Sequence, residues 1–469
     1  YVKMSVRQYV MSKLKHKIII GVLLACALAV GTVPAGVSAN ANSAIKIWHG
    51  TSSSGAIIAD ENCPVEVENE LLTFDINGFP QQYYGEAELY TYDAKVTAHY
   101  ALYNPADYGV DVSLAFPFGR LPEYANNFTD DSATFKITAD GEEVQRELRF
   151  TVADGEFNTK DDLSKLADGY KENEFYYPEM PVTKYVFTVS DLVTANGYDD
   201  AYMVAEIPRS EKYALFNERM GDYDIRHFIR DGEAVEIYVA GEGFDAASIK
   251  WNFFTDMNKN KKTTATVRLD QSEDMTFKEL ALIYYDKEGE VSESDWYNAV
   301  IDRIGEYKSV QLSSLSVGYS LMGWYMYSLF LPAGGRLINE VTAPLFPEIN
   351  GQYNPNIFKY EYLLSPAKGW ASFGSLQIQI NTPYYLLESS LNGFEKTDGG
   401  YKLTADRLPE GELTFELSES QKPKAEINVG WIFIFVFIGL IFFVILEFVA
   451  LAITLTVFGV RKFKKKNAE

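Results

Sequence analysis

The chain has few of the residues that build metal sites and covalent cross-links. It contains two cysteines, Cys26 and Cys63, and four histidines among 469 residues. Because Cys26 lies in a segment that we predict to be a cleaved signal peptide, the mature chain keeps one thiol and no internal disulfide. No paired Cys or His motif has zinc-ligand spacing, so we predict neither a metal nor a cofactor. The exported part must therefore fold on its hydrophobic core.

Basic charge is also scarce in the body of the chain. Between residue 40 and the C-terminal apolar run, 32 Lys and Arg stand against 63 Asp and Glu, a net charge of −31. Such a surface repels nucleic acids and anionic lipid headgroups. We therefore exclude nucleic acid as a partner and expect a soluble exterior domain.

The N-terminal segment has the order of features that marks a secretion signal. Lysines precede the apolar run 18–30, and small residues follow it. The small-x-small rule predicts cleavage after Ala39 or Ala41. Residues 1–39 are thus predicted to be a signal peptide, with an N-terminal extension if translation begins at an internal methionine. An uncleaved anchor is the alternative.

A second apolar run, 431–460, lies near the C-terminus. As a helix its thirty residues would extend about 45 Å, more than the ~30 Å hydrocarbon core of a bilayer. It predicts a transmembrane helix, and a basic cytoplasmic tail at 461–469 completes a stop-transfer signal. The basic residues of the tail are Arg461, Lys462, Lys464, Lys465 and Lys466. The chain is predicted to sit in the cell membrane with its N-terminal domain outside.

One charged residue, Glu447, lies inside this apolar run. A carboxyl at membrane depth is costly and is by default a candidate functional site. Glu447 is therefore a candidate contact with a partner helix. The alternative is a protonated side chain that the membrane tolerates.

Alternation of apolar and polar residues dominates between residues 40 and 420. The runs 90–102 and 110–116 are separated by the turn 104–109, which predicts two antiparallel strands joined by that turn. Asp140-Gly141 between two further runs is typical of a type I′ hairpin. Other predicted strands are 184–189, 201–207, 234–240, 248–254, 263–269, 278–285, 376–380 and 413–417. We therefore predict a mainly β ectodomain of antiparallel β-sandwich type, plus one C-terminal transmembrane helix.

Three segments depart from this pattern. Ser292 or Ser294 can cap a helix at about 293–308, and the acidic stretch 154–174 contains at most a short helix at 160–167. The apolar segment 317–331 is too short to span a bilayer, and a crossing there would leave the basic tail outside. We predict a buried strand or core-facing helix there; a segment lying on the membrane is the alternative.

The ectodomain is long enough for two domains. The first β-rich region is predicted at 40–310, ending in the helix, and the second at 311–420. A juxtamembrane linker at 421–430 precedes the transmembrane helix.

Motifs with catalytic or metal-binding chemistry are weak. The segment 318–323 resembles a nucleophile elbow but has one residue too many. A loop beginning at Asp256 starts like a calcium loop, yet Lys261 and Val267 occupy the positions that require Gly and Glu, which favours a hairpin turn. His99 falls on the polar face of a predicted strand, and His227 is far from the other histidines in sequence.

Paired carboxylates are too common here to be diagnostic. The pairs are Asp199/Asp200, Asp222/Asp224 and Glu172/Glu174. A glycosidase needs two carboxyls at a defined distance with one pKa raised, which a sequence cannot show. The 32 Tyr, 30 Phe and 6 Trp are expected to fill β cores, with a carbohydrate-binding platform as the alternative.

Five short segments resemble a known family. They are 100–105 (YALYNP), 114–117 (LAFP), 369–370 (GW), 372–374 (SFG) and 381–383 (NTP). The chain resembles secreted, C-terminally membrane-anchored proteins of Gram-positive bacteria for which no activity is established. The resemblance implies a cell-surface protein and assigns no catalytic residue.

These observations favour a function in binding rather than catalysis. We predict a single-pass, membrane-anchored extracellular protein with a non-enzymatic binding or structural role at the bacterial surface. Its expected partners are the membrane and a protein or carbohydrate ligand. Two alternatives remain open: a surface glycan hydrolase using paired carboxylates, and an accessory subunit of a membrane complex that docks through its transmembrane helix.

Overall fold

The computed structural model describes residues 52–54, 57–58, 63–80, 94–118, 135–153, 159–195 and 197–425, all within one compact unit. The signal segment with Ala39 and Ala41, the run 431–460 with Glu447, and the basic tail lie outside the described residues. Within the described ranges, no helix is both long and apolar enough to cross a membrane.

The described residues are mainly β, as the sequence predicts. The helices are α1 (Thr159–Leu163), α2 (Phe277–Ala281) and α3 (Glu293–Ile304). The strands are β1 (Ser52–Ser54), β2 (Ile57–Ile58), β3 (Glu66–Asp75), β4 (Lys95–Tyr103), β5 (Val110–Phe118), β6 (Lys136–Ala139), β7 (Glu142–Glu143), β8 (Arg146–Val152), β9 (Pro181–Ser190), β10 (Asp200–Glu206), β11 (Tyr213–Asn217), β12 (Asp224–Arg230), β13 (Ala234–Gly241), β14 (Lys250–Phe254), β15 (Lys262–Thr263), β16 (Thr266–Thr276), β17 (Ser309–Gln311), β18 (Leu321–Leu331), β19 (Arg336–Pro344), β20 (Glu348–Asn350), β21 (Tyr353–Asn354), β22 (Ile357–Leu363), β23 (Phe373–Asn381), β24 (Tyr385–Ser389), β25 (Glu395–Thr397), β26 (Gly400–Ala405), β27 (Leu413–Ser418) and β28 (Lys424–Ala425).

These strands form five larger sheets and one two-stranded pair, β21-β28. Sheet I has the order β25-β26-β23-β3-β4-β19-β6-β7. Sheet II has the order β1-β22-β27-β24, with β20 also on β22, and sheet III has the order β2-β5-β18-β8. Sheet IV has the order β16-β9-β13-β11-β17, and sheet V has the order β12-β10-β14-β15.

Sheets I, II and III share one hydrophobic core, and we call them the outer sandwich. Alternate residues of their strands point into this core, and the ring of Phe74 in sheet I lies 5.1 Å from Phe415 in sheet II. Between sheets I and III, the Tyr327 hydroxyl donates to Asn339 over 3.0 Å. Strands from both sides of residue 311 therefore share one core. The division into two domains stays a prediction.

The strand pairing in the outer sandwich differs at several points from the predicted antiparallel arrangement. The runs on either side of the turn 104–109 form β4 and β5, but β4 belongs to sheet I and β5 to sheet III. The prediction of a paired hairpin was wrong because the Asn104 side chain holds the turn between sheets, donating to the carbonyls of Leu331 and Pro332. In addition, β3 and β23 pair in parallel, with almost three hundred residues between them.

Residues 159–320, between β8 and β18, form a layered unit that we call the inserted region. Sheet IV lies in the middle, and its two faces pack on separate clusters. One face meets sheet V, where the ring centroids of Phe187 and Trp251 are 5.2 Å apart. The other face meets α2 and α3, where Phe216 lies 6.0 Å from Phe277. Alternation along β9, β11 and β13 supplies apolar residues to both faces.

Short sequence patterns predicted two of the following three elements correctly, and one prediction was wrong. The type I′ turn at Asp140-Gly141 is confirmed, with φ of 49° and 85° between β6 and β7. The segment predicted as strand 278–285 instead begins with α2, because Thr276 and Glu279 form a capping box there. The apolar segment 317–331 contains the buried strand β18, as one of its two interpretations predicted.

The inserted region is joined to the outer sandwich by a buried ion pair. Asp295 of α3, 1% exposed, accepts hydrogen bonds from the Arg149 guanidinium at 3.0–3.2 Å and from the Phe150 backbone at 3.0 Å. Because Arg149 and Phe150 belong to β8 of sheet III, this carboxylate holds α3 against the outer sandwich. Ser292 caps the same helix by accepting from the Asp295 backbone N–H.

Candidate binding groove

A groove of about 850 Å³ opens in the inserted region beside β12, an edge strand of sheet V. The end of β11 and the turn after it contribute Asn217 and Arg219, and β12 contributes Arg226, His227 and Phe228. Residues of β13 and the segment after α2 form the other wall. The volume is within the range of about 300–1,000 Å³ that is typical of small-molecule sites.

Alternation along β12 directs two of its three groove residues, Arg226 and Phe228, away from the core. Ile225 and Ile229 are buried in the core between sheets IV and V. Because side chains alternate along a strand, Arg226 and Phe228 point to the opposite face. Gly232, with a φ of 81°, then turns the chain from sheet V into β13 of sheet IV. In this sharp turn the Glu233 backbone N–H donates to the Arg230 carbonyl over 3.1 Å, which brings the start of β13 close to the end of β12.

Exposed apolar side chains form part of the groove. Phe228 is 46% exposed and meets Tyr202 of the neighbouring strand edge to face, with ring centroids 5.3 Å apart. Ile283, which follows α2, is also exposed on the opposite wall. An aromatic face open to solvent can stack on a planar ligand, and its burial there would be favourable.

The three glutamates of the groove already have donors. Glu218 accepts from the Tyr284 hydroxyl over 2.6 Å, and burial together with this contact raises the pKa of Tyr284 to about 12. Glu233 accepts from the backbone N–H of Arg230 over 3.0 Å. Glu236 pairs with Lys184 over 2.9 Å.

The cationic side chains differ in how far they are engaged. Arg226 pairs with Asp224, and the Nδ1–H of His227 donates to the Phe228 carbonyl over 2.8 Å, which leaves Nε2 as an acceptor in the neutral ring. Within the described part of the chain, the Arg219 guanidinium has no hydrogen-bond or ion-pair partner. Arg219 is therefore the polar group of this groove that is available for a ligand.

Few of the residues singled out in the sequence meet at this groove. His227 is present, whereas His99 lies on the outward face of β4. Cys63 is buried in the core of the outer sandwich. Glu447 falls outside the described residues. The signals that could have marked the site were the outward Phe228 between two arginines in β12, and Arg219 in a turn.

The candidate motifs have structural roles. Asp256 holds the hairpin turn between β14 and β15 by accepting a hydrogen bond from the Asn258 backbone N–H. This confirms the prediction that the segment is a hairpin turn. Ser320 ends a 3-10 helix and accepts from Arg303 over 3.2 Å, without the following helix that a nucleophile elbow needs. The predicted acidic pairs are solvated or bound to arginines; examples are Asp222 with Arg209 and Asp199 with Arg230.

A second group of polar side chains lies in the outer sandwich and is sealed from solvent. Glu70 of β3 is 2% exposed and sits directly opposite Tyr100 of β4. Burial raises the pKa of Glu70 to about 8, and the hydrogen bond from Tyr100 only partly opposes that shift. Burial also raises the pKa of Tyr100, Tyr362 and Tyr327. This cluster bears on stability because no ligand can reach it.

Metal and carboxylate chemistry find no support in the described ranges. No group of three His, Cys, Asp or Glu side chains there is placed to hold a metal ion. The two described carboxyls with a raised pKa are Glu70 in the core and Glu416 on sheet II, and neither lines the groove. A retaining or inverting glycosidase needs such an acid beside its substrate.

Comparisons with known proteins add little. No family model matches the chain, and no curated protein matches it. Among solved structures, a proposed nutrient-binding protein from Legionella pneumophila subsp. pneumophila str. Philadelphia 1 matches with 10% identity and a TM-score of 0.29, covering 78% of this chain and 70% of that chain. A likeness at that TM-score carries no argument about this chain.

Proposed function

We propose that the chain is a non-enzymatic binding protein of the bacterial cell surface whose groove beside β12 takes a small ligand. The observation that carries the proposal is a combination within one groove: an exposed aromatic face at Phe228 and a guanidinium at Arg219 that has no hydrogen-bond or ion-pair partner among the described residues. Binding sites typically pair apolar walls with a few uncommitted polar groups. The glutamates of the same groove are engaged in holding the wall together, which favours binding over acid–base chemistry.

The cell-surface part of the proposal rests on the sequence. The signal segment 1–39 and the apolar run 431–460 support export and anchoring by one C-terminal helix, and the basic tail supports a cytoplasmic C-terminus. Protease added to intact cells should remove the β-rich part and spare the tail. Protection of the β-rich part from protease would contradict this orientation.

The groove itself is tested by a ligand screen with a matched pair of variants. The full chain in detergent is screened by thermal shift against amino acids, short peptides, monosaccharides and uronic acids. Phe228→Ala should weaken any hit about tenfold, because the ligand loses the aromatic face. Phe330→Ala removes a phenylalanine that is 60% exposed on β18 and should leave the affinity unchanged. A panel without hits, or equal losses in both variants, would contradict the proposal.

The two alternatives have outcomes of their own. Release of reducing sugar ends from a glycan, abolished by Glu236→Gln, would support the hydrolase and overturn a purely binding role. Loss of a co-purifying membrane protein on Glu447→Leu would support docking through the transmembrane helix, which is compatible with a ligand groove. An unchanged set of partners would remove that role for Glu447.

A further inference from the structure

The charge of the groove narrows the class of ligand. Its acidic side chains each have a donor: Tyr284 for Glu218, the Arg230 backbone for Glu233, and Lys184 for Glu236. A cationic ligand would compete with these donors for the carboxylates, although each carboxylate keeps lone pairs that accept further hydrogen bonds. An anionic ligand would meet the Arg219 guanidinium, which has no hydrogen-bond or ion-pair partner in the described ranges, and near it the Arg226 guanidinium, which already pairs with Asp224.

The backbone around Arg219 is held in place although its side chain is free. The Asn217 side-chain amide donates to the Glu236 carbonyl over 2.6 Å, and its oxygen accepts from the Arg219 backbone N–H over 2.7 Å. Asn217 is itself buried, and the two hydrogen bonds of this link are part-buried. The link joins the turn to β13 and fixes the point from which the Arg219 side chain extends.

A guanidinium presents a planar fork of N–H donors that matches the two oxygens of a carboxylate. The same groove offers the rings of Phe228 and Tyr202, together with the aliphatic Ile283, to an apolar body. Resting on the binding role proposed above, we infer that the ligand carries a carboxylate, held by Arg219, on an aromatic or other flat apolar body that covers Phe228. The net charge of −31 over the exported region repels anions in general, so a carboxylate ligand has to gain its affinity from direct contact with Arg219 and the apolar wall.

The probes are 3-phenylpropionate and its neutral analogue 3-phenylpropionamide, titrated against the full chain in detergent by saturation-transfer NMR. The carboxylate should bind about tenfold or more tightly than the amide, and more weakly as NaCl is raised. Arg219→Gln should remove this preference. Arg407→Gln, which changes an exposed arginine outside the groove, should keep it.

Failure of this inference can be told apart from failure of the binding role. If the amide binds as well as the acid, and Phe228→Ala weakens both, the groove binds ligands but the carboxylate class is wrong. If Arg219→Gln and Arg407→Gln have equal effects, the assignment of Arg219 is overturned. Absence of binding by both probes, together with an empty ligand screen, contradicts the groove itself.

Discussion

The outer sandwich takes its strands from both ends of the described chain, whereas the inserted region takes all of its strands and helices from 159–320. The two regions also treat charge differently. The outer sandwich buries a carboxyl, Glu70, among tyrosines in its core. The inserted region buries Asp295 of α3 in an ion pair at its junction with the outer sandwich, and it carries the charged side chains that line the groove at its surface. One region is thus built for cohesion between distant segments, and the other presents a surface that a ligand can reach.

The largest expected effect is on the free energy of unfolding, and it comes from the buried carboxyl of the outer sandwich, Glu70. The pKa of Glu70 is about 8 in the folded chain against 4.5 as its ordinary value. Between these values only the folded chain keeps the proton, so stability falls as pH rises, by about 5 kcal/mol in total, and is constant above pH 8. The surrounding tyrosines, Tyr100, Tyr362 and Tyr327, stay neutral throughout. Urea unfolding from pH 5 to pH 9 measures the change.

The matched variants for this prediction are Glu70→Gln and Glu68→Gln. Glu70→Gln cannot ionise and should lose this pH dependence. Glu68 lies two residues away, and its exposed side chain pairs with Arg336 over 2.7 Å. Glu68→Gln should keep the wild-type decline. If the stability of Glu70→Gln falls with pH as steeply as that of the unmodified chain, another titrating group causes the decline.

The next effect tests the junction between the regions. Asp295→Ala leaves the Arg149 Nε–H and the Phe150 N–H without their acceptor, while the guanidinium keeps its hydrogen bond to the Ala167 carbonyl, and should cost about 3 kcal/mol of unfolding free energy. Asp168→Ala is the control, because the exposed Asp168 carboxylate makes a longer contact of 3.5 Å with the same arginine and is therefore expected to stabilise little. It should change stability by less than about 0.5 kcal/mol. Equal losses would mean that the buried pair does not join the regions.

A smaller effect distinguishes the two serines that the sequence offered as caps of α3. Ser292→Ala removes the acceptor of the Asp295 N–H and should cost about 1 kcal/mol. The Ser294 hydroxyl contacts only Ser292 at 3.2 Å, so Ser294→Ala should have almost no effect. Thermal unfolding of the two variants decides between them. A larger loss for Ser294→Ala would contradict the observed cap.

The smallest stability effect belongs to the groove. Phe228→Ala should change the unfolding free energy by less than about 0.5 kcal/mol, because the ring is nearly half exposed. Its effect should appear in ligand affinity instead. A stability loss comparable to that of Asp295→Ala would indicate that Phe228 holds the inserted region together.

The sequence predicts those parts of the fold that are determined locally. The turn at Asp140-Gly141 and the start of α3 depend on neighbouring residues, and both were predicted. The parallel pairing of β3 with β23 joins residues almost three hundred positions apart, and no local pattern encodes such a partner. The capping box at Thr276 and Glu279 is a local signal that was overlooked.

The site was less predictable than the fold. The sequence offers His227 as a candidate because of its residue type, yet the Nδ1–H of its ring donates a hydrogen bond to the Phe228 carbonyl. Arg219 is one arginine among many in the sequence, and its importance depends on which acids nearby already have donors. That information exists only when β11, β12, β13 and the segment after α2 are assembled.

The most direct test of the account is the affinity of 3-phenylpropionate for the full chain and for the Arg219→Gln and Arg407→Gln variants. A loss of about tenfold or more for Arg219→Gln, with Arg407→Gln equal to the unmodified chain, is the predicted result. Equal affinities in all three proteins would contradict the claim that the groove beside β12 binds its ligand through Arg219.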